Sequence, residues 1–141
     1  MALVVVVADA TTVLEDVRAA IEDEETEIVE LRSGEQVRPF VLDEPPDLVI
    51  ADCQVQNMGG IAVAFDLKLE ESGGRIPHVP VLVLLDRRAD VFLARRAAAE
   101  GFLVKPLDPI RLRRAAEALL AGDTYHDESY RPVSLQGARP A

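Results

Sequence analysis

Asp47-Leu48-Val49-Ile50-Ala51-Asp52 is the stretch that decides the fold. It follows Pro45-Pro46, and Asn57-Met58-Gly59-Gly60 comes soon after it. A short aliphatic run with no polar residue alternating through it is a strand covered on both faces, as in a parallel sheet. The acid that closes the run then stands where the sheet ends.

The same grammar recurs on both sides of this stretch. Leu3 to Val7 is another aliphatic run, with Asp9 just beyond it. Thr26 to Leu31 is more polar and reads as an edge strand. Pro80 to Leu85 is the fourth run, and Phe102-Leu103-Val104 is a short fifth that ends at Lys105. Amphipathic segments lie between them. Val13, Leu14, Val17, Ala20 and Ile21 recur at helical spacing after a cap at Thr11 or Thr12. A second helix starts near Gly34 and is limited by Pro39. A third runs from Gly59-Gly60 to Leu69, with Gly73-Gly74 beyond it. Ala89 to Ala99 is an Ala- and Arg-rich fourth. Asp108-Pro109 supplies an N-cap acid and a first-turn proline for the fifth, which Gly122 closes.

Alternating strands and helices give an α/β (βα)5 domain over residues 1–122. The expected architecture is a doubly wound parallel sheet, flavodoxin-like, with strand order 2-1-3-4-5 and right-handed crossovers. Residues 123–141 show neither periodicity. They read as a flexible C-terminal tail whose first part can dock on the body.

The 141 residues suit one core; 49% are hydrophobic and 28% charged. No apolar run reaches the ~18 residues of a membrane span. The apolar N-terminus lacks a basic flank and runs into Asp9, so it is a strand and not a signal peptide. The single Cys53 has no partner for an internal disulfide and suits a reducing cytoplasm. A net charge of −10 argues against nonspecific nucleic-acid binding. The charge is uneven, since residues 87–114 carry 8 basic and 3 acidic side chains. That stretch is either a set of solvated helix faces or a patch that meets a partner.

In an open parallel sheet, ligands collect beyond the carboxyl ends of the strands. Asp9, Asp52 and Lys105 stand at three such ends. Each alone is an ordinary turn or cap residue. Together they form a site. Two close carboxylates repel and favour a divalent cation between them, and an oxygen-only donor set with room for water suits Mg²⁺. Lys105 would hold an oxygen of a phosphoryl group moving onto a carboxylate. No glycine-rich cradle follows the first strand, and no Ser–His or Cys–His pair sits at the strand ends, so an enzyme reading finds no support. Cys53 reads as packing.

These motifs resemble the receiver domain of bacterial two-component response regulators. The residues concerned are Asp47 to Asp52, Gly60 eight positions later, and Phe102-Leu103-Val104-Lys105-Pro106-Leu107. The resemblance implies that Asp52 accepts a phosphoryl group from a histidine kinase or phosphotransfer protein. It implies that Asp9, Asp52 and the backbone carbonyl of Gln54 hold Mg²⁺, that Lys105 pairs with the phosphoryl group, and that Pro106 is cis. The chain departs from the family at Ala8, where an acid is usual, and at Leu85, where a switch Ser or Thr is usual. Val55-Gln56 replaces the common Met-Pro. Phe102 keeps the aromatic switch position, and Leu85 beside it would hold it in one state.

No further domain is read beyond residue 122, which makes a stand-alone regulator the expectation, signalling by protein contact. The resemblance places that contact on the face of the fourth helix, fifth strand and fifth helix. Arg87, Arg88, Arg95, Arg96, Arg111, Arg113 and Arg114 fall there and would meet an acidic partner or the acidic face of a second copy, with Phe92 as an apolar anchor. The alternative is a phosphorylation-independent interaction module using the same face.

Overall fold

A computed structural model describes residues 1–55 and 57–129. The elements are β1 (Ala2–Val7), α1 (Thr11–Ile21), β2 (Thr26–Leu31), α2 (Val37–Asp43), β3 (Leu48–Asp52), α3 (Gly60–Ser72), β4 (Val81–Leu85), α4 (Val91–Arg96), β5 (Gly101–Val104), α5 (Pro109–Leu120) and β6 (Tyr125–His126). One sheet runs β2-β1-β3-β4-β5-β6, and every pair in it is parallel. The flavodoxin-like α/β order expected for the first five strands is present, with β2 at the edge.

Every residue of β3 and β4 is buried. The period-two pleat sends alternate side chains to opposite layers. Val49, Ala51, Val81, Val83, Leu85 and Phe102 join the cluster that includes Val37 and Val41 of α2, Val63 and Leu67 of α3, and Val91 of α4. Leu48, Ile50, Leu82, Leu84 and Leu103 join the cluster with Val17 of α1 and Leu112 of α5. Two apolar layers on one sheet explain why its inner strands cannot alternate with polar residues. Gly60 lets α3 start against β3, since a Cβ there would lie 2.7 Å from the Ala51 carbonyl oxygen.

Local signals held unevenly. Asp108 caps α5 by accepting from the Ile110 N–H at 2.8 Å, with Pro109 in the first turn. Pro39 stands in the first turn of α2, where its missing N–H costs nothing. Thr11 and Thr12 do not cap α1. The cap residue is Ala10, with no side-chain bond, because the helix already begins at Thr11.

The fourth helix is also shorter than expected. A 3-10 turn, Arg88–Asp90, leads into α4, which stops at Arg96. Ala98 has φ 56°, Ala98 N–H bonds Arg95 O, and Ala99 N–H bonds Ala94 O. This is a Schellman closure with alanine where glycine is usual.

The first part of the tail docks on the body, and it does so as a strand. Residues 125–126 form a strand beside β5, with Gly101 opposite Tyr125 and Phe102 opposite His126. The sheet therefore continues past residue 122. Residues 130–141, the rest of that tail, lie outside the described residues, as does Gln56.

Candidate functional site

The strand ends gather the expected residues. Asp52 is the last residue of β3, Lys105 directly follows β5, and Asp9 lies two residues past β1. All three line one hollow of about 710 Å³ together with Gln54, Thr12 and Leu107. Asp52 is 1% exposed. Its Oδ1 accepts from Lys105 Nζ at 2.7 Å and from the Gln54 N–H at 3.2 Å. Its Oδ2 is buried without a hydrogen-bond partner among the described residues. An unpartnered buried carboxylate oxygen is costly and marks a group kept for another purpose.

Lys105 reaches a second carboxylate that the sequence reading did not name. Nζ lies 2.8 Å from Asp86 Oδ1. Asp86 directly follows β4, so the strand-end rule that selected Asp9 and Asp52 would have selected it too. Burial pulls the Lys105 ammonium down, but hydrogen bonds to Asp52 and Asp86 more than offset this and hold it above the usual lysine range. It is therefore charged at neutral pH. The Lys105–Pro106 bond is cis.

The residues fit a hard cation. The Asp52 and Asp9 carboxylates and the backbone of Gln54 offer oxygen alone. Among the described residues no group of three or more His, Cys, Asp and Glu gathers around one point. An ion held by one or two carboxylates and otherwise by water is the coordination Mg²⁺ accepts. Cys53 is half-buried, burial pushes its thiol up, and it packs against the α2–α3 layer. That fits packing and not a nucleophile.

Ala8, Leu85 and Phe102 are each fully buried. Ala8 joins the α1–α5 layer and Leu85 the opposite one. The His126 ring stacks on Phe102 at 5.2 Å and 14°, and the Arg95 guanidinium carbon stands 5.3 Å from the Phe102 centroid.

The basic residues divide. Arg88, Arg96 and Arg114 are exposed, and no ion pair is formed by them among the described residues. Phe92 is 57% exposed. Arg87 pairs with Asp90, and Arg113 with Glu117. Arg111, expected to face a partner, is instead turned onto Asp127 of the tail at 2.8 Å.

Comparison with known proteins agrees with this fold. The response regulator receiver domain family matches residues 4–117. The chain belongs to that family, the signalling modules of two-component systems that interact with histidine kinases or phosphotransfer partners. It is 28% identical over 114 residues to the nitrate/nitrite response regulator protein NarL of Escherichia coli, covering 81% of this chain and 51% of NarL. The chain thus spans about half the length of that relative. It is 25% identical over 122 residues to the protein PilH of Pseudomonas aeruginosa, covering 86% of this chain and all of PilH. Among solved structures, a LuxR-family two-component response regulator from Aurantimonas superposes with TM-score 0.78 at 25% identity, covering 92% of each chain. Among the described residues no helix is long and apolar enough to cross a membrane.

Proposed function

We propose that this receiver accepts a phosphoryl group on Asp52 and passes the signal on by protein contact. The observation that carries the reading is the division of labour on Asp52. Oδ1 is held by Lys105, while Oδ2 has no hydrogen-bond partner among the described residues. Oδ2 is the nucleophile. It forms a bond to phosphorus as the phosphorus–nitrogen bond of a phosphohistidine breaks, and the imidazole leaves with the electron pair. Lys105 is already charged and placed, so it meets the incoming phosphoryl oxygens without reorganisation. Mg²⁺, held by Asp9, Asp52 and the Gln54 carbonyl, would supply further neutralisation of phosphoryl charge. Output runs through α4, β5 and α5, where Arg88, Phe92, Arg96 and Arg114 are exposed. The lone cysteine suits the cytoplasm.

The test is intact-mass analysis after incubation with phosphoramidate and Mg²⁺, with Asp52→Asn as control. One added phosphoryl group in the native chain, absent in the control, is the expected result. No addition would overturn the reading.

A second reading has its own support. Leu85 offers no hydroxyl to a phosphoryl oxygen, and Phe102 is buried beneath His126 and Arg95. Both favour an interaction module that works without phosphorylation. Charge reversal at Arg96 and Arg114 would then abolish partner binding while Asp52→Asn leaves it intact.

A further inference from the structure

The tail contains a buried acid that the pocket chemistry does not require. Asp127 is 2% exposed. Its Oδ2 accepts from the Val104 N–H at 2.9 Å and from Arg111 Nη1 at 2.8 Å, and its Oδ1 accepts from the Ser129 N–H at 2.9 Å. Arg111 continues the chain of bonds, since its Nη2 donates to the Pro106 carbonyl at 3.2 Å. Val104 and Pro106 are the two neighbours of Lys105. Asp127 thus holds the residue before Lys105 directly and the residue after it through Arg111.

Covering the edge of β5 would need less. Main-chain bonds from Tyr125 N–H to Glu100 O at 3.0 Å and from Asp127 N–H to Phe102 O at 3.2 Å already dock the segment. The carboxylate and the guanidinium reach further, onto the loop that carries the ammonium. Ser129 and Arg111 also line a hollow of about 440 Å³ with Lys105, Pro106 and Asp86. The tail therefore stands beside both Lys105 and its second carboxylate partner.

We propose that Asp127 is a positioning residue for Lys105, fixing through Val104 and through Arg111–Pro106 the loop that aims the ammonium at Asp52. The inference rests on the assignment of Asp52 and Lys105 to phosphoryl transfer. A lysine has four flexible methylenes, so the accuracy of its head group depends on how firmly its backbone is held. Hydrogen bonds on both flanks supply that hold. They also keep Asp127 ionised. Burial pushes its carboxyl up, but bonds from Ser129, from the Val104 N–H and from Arg111 more than offset this.

Asp127→Asn and Arg111→Lys in the full chain test the inference with two readouts. The first is the rate of phosphoryl uptake from phosphoramidate with Mg²⁺, measured across donor concentrations. A fall of about tenfold in the maximal rate is expected, with half-saturation unchanged. The second is the amide spectrum. The Gln54 N–H shares Asp52 Oδ1 with Lys105, so its resonance should move when Lys105 loses its aim.

A tail that only packs would disturb Val104, Arg111 and residues 125–129. It would leave Gln54 and the uptake rate unchanged, and that result overturns the inference. If the native chain takes no phosphoryl group, the Asp52 reading fails by itself while Gln54 still decides this one. If Asp127→Asn frees the whole tail, Arg111→Lys decides. It keeps a charge facing Asp127 but loses the nitrogen that reaches Pro106. A shifted Gln54 in that variant supports the positioning role, and an unshifted one refutes it.

Discussion

The side of the pocket towards β1 and the side towards β5 are built differently. Towards β1, Ala8 is buried in an aliphatic layer and Asp9 is exposed at the rim. Towards β5, charged groups are linked from Asp86 through Lys105 to Asp52, and from Asp127 through Arg111 to Pro106. The difference follows from what each side would hold. A phosphoryl oxygen needs a fixed ammonium, because dipoles and charges set in advance cost nothing at the moment of transfer. A hydrated Mg²⁺ needs only one or two carboxylates, because it keeps much of its water. One wall is rigid by construction, and the other leaves room for solvent.

Removing the ammonium breaks that contrast most severely. Lys105→Met leaves Asp52 and Asp86 facing each other without a cation. Unfolding free energy measured in urea should fall by about 2 kcal/mol, and phosphoryl uptake should fall about a hundredfold. An unchanged urea midpoint would show that the rigid wall contributes nothing to the fold.

The open wall should respond in the opposite sense. Asp9→Asn should weaken Mg²⁺ about tenfold, measured by titration, while the unfolding free energy measured in urea stays within about 0.5 kcal/mol of the native chain. A large loss of stability would mean that this wall is structural as well.

The pH response separates the two sides further. Hydrogen bonds hold the folded Asp127 below its unfolded value. The stability it contributes is complete above the ordinary aspartate range and is lost as pH falls through the depressed value. The protection factor of the Val104 amide, corrected for intrinsic exchange, should therefore stay flat from neutral pH into mild acid and then fall in strong acid. Loss of protection near neutrality would refute an ionised Asp127.

The smallest effect lies away from the pocket, at the end of α4 that leads into β5. Ala98→Gly removes the cost of a left-handed alanine and should raise stability by about 1 kcal/mol. A loss instead would mean that the Ala98 methyl contributes more by packing than its backbone costs.

Much of this architecture can be read from residues alone, for a physical reason. A strand covered on both faces must be aliphatic throughout, so Val4 to Val7, Leu48 to Ala51 and Val81 to Leu85 announce themselves. The strand-end acids follow from position, and Asp108-Pro109 from capping. What stayed hidden lacked such a signature. Two residues, Tyr125 and His126, show no period. Asp127 looks like any acid in a polar tail until Val104 and Arg111 meet it. Ala98 ends α4 without the glycine that would betray a left-handed turn. Asp86 is the exception, since it follows β4 as directly as Asp52 closes β3 and carries the same positional signature.

The last rung of the sheet has a consequence for assembly. Val104 gives its N–H to a side-chain carboxylate and not to another peptide. A carboxylate offers no N–H to carry the ladder onward, so hydrogen bonding at this end of β5 terminates in the chain itself. A second molecule cannot extend the sheet there by adding a strand. Growth by sheet extension from the Val104 rung is thereby excluded, and the edge the sheet presents on this side is that of β6.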